Sequence, residues 1–175
     1  MAPGRVVGAV TPPLILVRAL VLLAAAVVLQ ATLVTRLRLF GVTANLVVVM
    51  VILLARWVEP RVALLIGFTS GLVLDLLGAS PLGLRALVLT VVAYTSIRFT
   101  GDAPLRSVAG VWAISLLAVV MTFVLGTLTG QGSLLQGEIV NRALFVPLMN
   151  LGLAALLYPV LAKFLASDRD RAAVL

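Results

Sequence analysis

Cysteine and histidine are absent from this chain of 175 residues, and acidic residues are few, at six. Without cysteine there is no disulfide, no thiolate nucleophile and no sulfur-based zinc site. Without histidine there is no imidazole acid–base chemistry and no histidine ligation of haem. Aromatic residues make up only 6% of the chain. Charged residues make up 11% and hydrophobic ones 63%. A soluble domain of this length is nearer half apolar and a quarter charged. A compact monomer in water could not hide so much apolar surface, so the composition implies lipid as the solvent.

The net charge of +7 would suggest nucleic acid in a soluble chain. Here the thirteen basic residues are scattered one or two to a loop, with no basic stripe and no interleaved aromatics. Membrane orientation explains them with fewer assumptions, and no nucleic-acid partner is expected.

Six segments read as spanning helices, one of them short: about 14–34, 42–57, 62–77, 82–99, 105–128 and 139–165. Pro12-Pro13, Gly41, Glu59-Pro60, Gly78-Ala79-Ser80-Pro81 and Gly101-Asp102-Ala103-Pro104 mark most of the breaks. The first segment, with Arg5 and Arg18, also has features of a signal peptide. Its full spanning length and the five segments after it favour a membrane helix. The expected class is therefore an all-α bundle of six transmembrane helices over residues 14–165, with tails at 1–13 and 166–175 and no separate soluble domain.

Lys/Arg counts in the loops orient such a bundle. With the N-terminus inside, nine fall inside (Arg5, Arg18, Arg56, Arg61, Arg98, Arg106, Lys163, Arg169, Arg171) and four outside (Arg36, Arg38, Arg85, Arg142). Both termini are then cytoplasmic. The longest outer loop, 129–138, reads as a plain connector or a contact surface for an extracytoplasmic partner.

The most informative run is Gly67-Phe68-Thr69-Ser70-Gly71-Leu72-Val73-Leu74-Asp75. Gly67, Gly71 and Asp75 are four apart and share one helix face. The two glycines form a groove that admits another helix to backbone contact, from the same chain or from a partner. Asp75 is a carboxylate in an apolar segment, where a charge costs about 2.5–3.5 kcal/mol at mid-membrane and less toward the interface. It should face protein or water and have a partner. Arg85, across the tight turn at Gly83, is the expected one, clasping the third and fourth segments. A proton- or ion-coupling role for Asp75 is the sharper alternative, but no second carboxylate lies in a membrane segment to form a relay.

Gln30, Asn45, Asn141, Arg142 and Asn150 are the other polar positions in apolar segments; helix bridging is their expected role, and a small-ligand pocket among them is the alternative. Pro147 and Pro159 should bend the last helix. No nucleophile–base set, phosphate loop or paired aspartates are visible, so neither enzyme activity nor a cofactor is expected.

The run Ala44-Asn45-Leu46, then Gly67-Phe68-x-x-Gly71-Leu72-x-x-Asp75-Leu76-Leu77, then Pro81-Leu82-Gly83-Leu84 and Ala86-Leu87, resembles the rod shape-determining protein MreD family. The likeness extends over about 14–165 and is sharpest over 45–94. Ala44-Asn45 stands where the family often has Pro-Asp or Pro-Asn. The resemblance implies a non-enzymatic scaffold of the bacterial cell-elongation machinery. Its implied partners are MreC and, through it, RodA, its penicillin-binding transpeptidase and the MreB cytoskeleton; self-association stays open. It also implies a bundle similar to the substrate-binding subunits of energy-coupling-factor transporters. Gly67, Phe68, Gly71, Asp75 and Gly83 carry over as structural or interface positions. The competing reading is a transporter subunit that captures a small molecule, which would need a polar pocket between helices, open to the outside.

Overall fold

The structure, a computed structural model, describes residues 13–34, 43–78, 81–99, 104–130 and 139–172. These form six helices: α1 (Pro13–Leu29), continued by a π-helical turn (Gln30–Val34), α2 (Leu46–Leu54), α3 (Pro60–Leu77), α4 (Leu84–Phe99), α5 (Pro104–Leu128) and α6 (Ile139–Ala172). Of the expected tail 1–13, the outer loop 129–138 and the tail 166–175, residues 1–12, 131–138 and 173–175 lie outside the described residues.

All six expected segments are helical, but they are not six equal spans. Four helices are long and apolar enough to cross a membrane: Pro13–Thr32, Pro60–Leu77, Val108–Leu128 and Ile139–Leu165. The segment expected at 42–57 is helical only over the nine residues of α2. At 1.5 Å per residue that is about 14 Å, against a hydrocarbon core of about 30 Å. The sixteen residues of α4 reach only about 24 Å. Six spanning helices, one of them short, were expected; among the described residues six helices form and four are long and apolar enough to cross.

Sequence explains why α2 is short. Its LVVVMVILL is apolar on every side, and such a helix belongs in an interior. All nine residues are buried. The helix ends in a turn at Ala55–Trp57, just before Glu59 and Pro60. Pro60 begins α3, where its missing N–H does no harm. Around α2 lie α1, α3, α4, α5 and α6, so this helix forms the axis of the bundle. The outer helices turn large apolar side chains outward, among them Val21 and Val28 of α1, Leu65 of α3 and Leu156 of α6. Lipid is the environment that suits such a surface.

The closest packing in the molecule joins α3 and α4. Gly67 and Gly71 lie directly against α4. A Cβ on Gly67 would sit 2.5 Å from the Leu89 carbonyl oxygen, and one on Gly71 would be 2.5 Å from the Arg85 carbonyl oxygen and would overlap the Ala86 Cα. Both obstacles are backbone and cannot swing aside. The glycine groove is thus filled by a helix of the same chain.

At 34 residues, α6 runs through Pro147 and Pro159 and continues past Leu165 to Ala172. Its length of about 51 Å exceeds the bilayer core.

Replacing Gly71 by leucine should therefore force α3 and α4 apart. The expected cost is about 3 kcal/mol or more, beyond the usual range for overpacking because backbone blocks the space. Gly152→Ala is the control: nothing lies within 4 Å of a Cβ there. Thermal unfolding of the detergent-purified proteins should show a large drop for the first and none for the second.

Candidate functional site

At one end of the bundle the C-terminal ends of α1, α3 and α5 meet the N-terminal ends of α2, α4 and α6. A helix start leaves backbone N–H groups without partners inside the helix, and in a membrane water does not reliably satisfy them. Side chains from neighbouring helices do so here.

Asp75 serves α4. It is 3% exposed, in the last turn of α3. Its Oδ2 accepts from the backbone N–H of Gly83 at 2.9 Å, of Arg85 at 3.1 Å and of Ala86 at 3.3 Å; its Oδ1 also accepts from Arg85 N at 3.2 Å. The Leu84 and Leu87 amides donate to the carbonyls of Pro81 and Gly83. Every N–H from Gly83 to Leu87 thus has an acceptor. A carboxylate at a helix N-terminus also meets the positive end of the helix dipole. Gly83 stands at φ +92°, a conformation that permits the chain to turn back into α4 within reach of Asp75.

Asp75 and Arg85 do meet, but through the Arg85 backbone amide. The Arg85 guanidinium reaches back to α3 and donates to the Leu74 carbonyl at 3.2 Å. The clasp between α3 and α4 is therefore double: carboxylate onto the start of α4, guanidinium onto the end of α3. Phe68 is different. It is 48% exposed.

Three amides serve α2. Asn45 caps its own helix, with Oδ1 accepting from Val48 N at 3.2 Å. Gln30, in the π-helical turn after α1, accepts from Leu46 N at 2.7 Å and donates to the Ala44 carbonyl at 3.4 Å. Asn150 of α6 is 1% exposed and accepts from Asn45 N at 2.8 Å. These bonds tie α1, α2 and α6 together, as bridging amides were expected to do. The sequence singled out each residue, but not that their common target is the backbone at the start of α2.

Between these two junctions lies a cavity of about 490 Å³. Its polar lining includes Gln30, Asn45, Arg85, Ser115, Arg142 and Asn150; Val48, Leu89, Ala118 and Phe123 are among its apolar walls. Sequence reading found no signal for Ser115, an isolated serine in an apolar helix.

The opposite end carries the other described basic residues. Arg18 donates to the Phe164 carbonyl at 2.8 Å. Arg56 stacks over Tyr158 at 5.9 Å and Arg98 over Tyr94 at 5.6 Å, within cation–π range. Among the described residues no group of His, Cys, Asp or Glu could hold a metal ion.

Two predictions follow from these bonds. Asp75→Ala leaves three amides at the start of α4 without an acceptor and should cost about 3 kcal/mol or more. Arg85→Ala keeps its amide and loses one bond to Leu74, which should cost only about 1 kcal/mol. Equal unfolding shifts for the two variants would mean that the side chains pair as ions. Asn150→Ala should cost about 1–2 kcal/mol by stranding the Asn45 amide. Hydrogen exchange should then quicken at the first turn of α2 ahead of α5.

No curated protein and no solved structure matches this chain. The family model described as rod shape-determining protein MreD does match, over residues 13–167. That range takes in all of α1 to α5 and α6 up to residue 167, together with both junctions and the glycine-packed hairpin. The chain belongs to the MreD family, and is a membrane protein of the bacterial cell-shape machinery.

Proposed function

We propose that this chain is an integral membrane scaffold of the cell-elongation machinery, linking MreC and, through it, RodA and its penicillin-binding transpeptidase. The family match over residues 13–167 carries this reading. The chemistry of the bundle agrees with it. Asp75, Asn45, Gln30 and Asn150 are engaged with backbone groups, an architectural use of polar side chains. Gly67, Phe68, Gly71, Asp75, Gly83 and Arg85 are read as hairpin-forming or interface positions, with Phe68 the outward-facing member.

The proposed orientation places both termini in the cytoplasm of a bacterial inner-membrane protein. Its support is the charge division. Arg18, Arg56, Arg61, Arg98 and Lys163 lie toward one end of the bundle, and Arg85 and Arg142 toward the other. Positive charge is enriched in cytoplasmic loops. In this orientation the cavity opens on the extracytoplasmic side. An architecture similar to the substrate-binding subunits of energy-coupling-factor transporters belongs to the same proposal.

A second reading, a small-molecule-binding subunit of a transporter, is favoured by one observation, the polar cavity among the helices. Co-purification separates the two. The tagged full chain, solubilised from its own cells, should bring down MreC and the transpeptidase, and its depletion should turn rod-shaped cells round. Recovery of an ATPase pair in place of MreC, with cell shape unchanged, would establish the transporter reading.

A further inference from the structure

The cavity between the two junctions has a chemical character that scaffolding does not use. Its volume of about 490 Å³ falls in the range of small-molecule sites. Two guanidinium-bearing residues, Arg85 of α4 and Arg142 of α6, line it, and among the described residues no carboxylate does. Asp75 lies close by, but its oxygens are turned onto the first amides of α4. The helix dipoles largely offset one another at this end, where α2, α4 and α6 begin and α1, α3 and α5 stop, so the attraction for an anion comes from the two guanidinium groups.

Ser115 adds an independent observation. Serine and threonine in an apolar helix ordinarily donate to a carbonyl one turn back. Ser70, Thr90, Ser96 and Thr122 all do so here, at 2.6–3.0 Å. Ser115, at the cavity wall and 0% exposed, does not: its Oγ has no partner among the described residues. A buried hydroxyl without a partner is costly, and such groups call for an explanation.

We propose that this cavity is a binding site for a phosphate ester, held by Arg85 and Arg142 with Ser115 at its inner wall. A phosphate presents more acceptor oxygens than a carboxylate, which suits a lining that carries two guanidinium groups. Guanidinium groups suit it by their forked donors. With five N–H donors each, they can hold a ligand while keeping another bond, as Arg85 does with Leu74. The apolar walls at Val48, Leu89, Ala118 and Phe123 accommodate the carbon body of the ester. The same chemistry is presented by a membrane lipid headgroup and by a soluble phosphate ester.

The test uses the purified full chain in a neutral detergent. Thermal unfolding and native mass spectrometry are run with glycerol 3-phosphate against glycerol, and with phosphatidic acid against diacylglycerol. At least one phosphate-bearing probe should bind and raise the melting temperature, while its phosphate-free counterpart does neither. A response to phosphatidic acid alone identifies a lipid headgroup as the source, and a response to glycerol 3-phosphate a soluble ester. Arg142→Gln and Ser115→Ala should each weaken that binding by about tenfold or more. Ser115→Ala should leave the unliganded melting temperature unchanged or higher, since it removes an unpartnered hydroxyl. No binding of either phosphate probe would mean a cavity holding only water, and would overturn the proposal. Binding that survives both substitutions, or that glycerol and diacylglycerol reproduce, would overturn it equally.

Discussion

A helix that begins inside a membrane protein must find acceptors for its first amides, and this bundle is arranged around two such starts. Neither α2 nor α4 is long enough to span the bilayer core, so neither can count on water at both ends. Asp75 answers the need for α4; Gln30, Asn45 and Asn150 answer it for α2. These bonds fix the junctions of α3 with α4, and of α1 and α6 with α2. The long outer helices then close around a short apolar axis. Removing any one acceptor leaves a buried donor unsatisfied, a larger penalty than the net value of an ordinary hydrogen bond.

The glycine face makes the first of these arrangements possible. For the carboxylate of Asp75 to reach the amides of residues 83, 85 and 86, α3 and α4 must approach to backbone contact. Gly67 and Gly71 permit that, because any side chain there would meet the Leu89 carbonyl or the Ala86 backbone. The three positions spaced by four thus form one device. Two clear the space and the third makes the bond. Close approach here depends on small residues because apolar burial gives helices no preference for one another over lipid.

Much of this was legible in the sequence. Composition fixed the solvent, and Gly and Pro punctuation located all six helices. The spacing of Gly67, Gly71 and Asp75 identified the hairpin face, and Arg85 was correctly brought to the end of α3. Other features were not legible. The Val42–Trp57 segment has the hydropathy of a span, and hydropathy does not distinguish a helix surrounded by lipid from one surrounded by protein. The all-round apolar LVVVMVILL was the available signal. The partner of Asp75 was read as a side chain, although the cheaper partner at a helix start is the backbone itself. A small-ligand pocket among Gln30, Asn45, Arg142 and Asn150 was the alternative reading of those residues, but its shape was not legible, because the lining comes from separate helices and no local spacing marks Ser115 or Arg142 as neighbours.

Among the residues that carry the resemblance to MreD, the hairpin accounts for Gly67, Gly71, Asp75 and Gly83 by contacts inside one chain. Their recurrence in such a motif therefore follows from architecture and does not by itself mark a partner surface. Phe68 stands apart, since it is half exposed and takes no part in the bonds of the junction. Under the proposed function, a partner would be met by outward-facing positions such as this one. A bundle built in this way separates two tasks: small and polar residues hold it together from within, and large apolar residues outside are left to meet lipid or another helix.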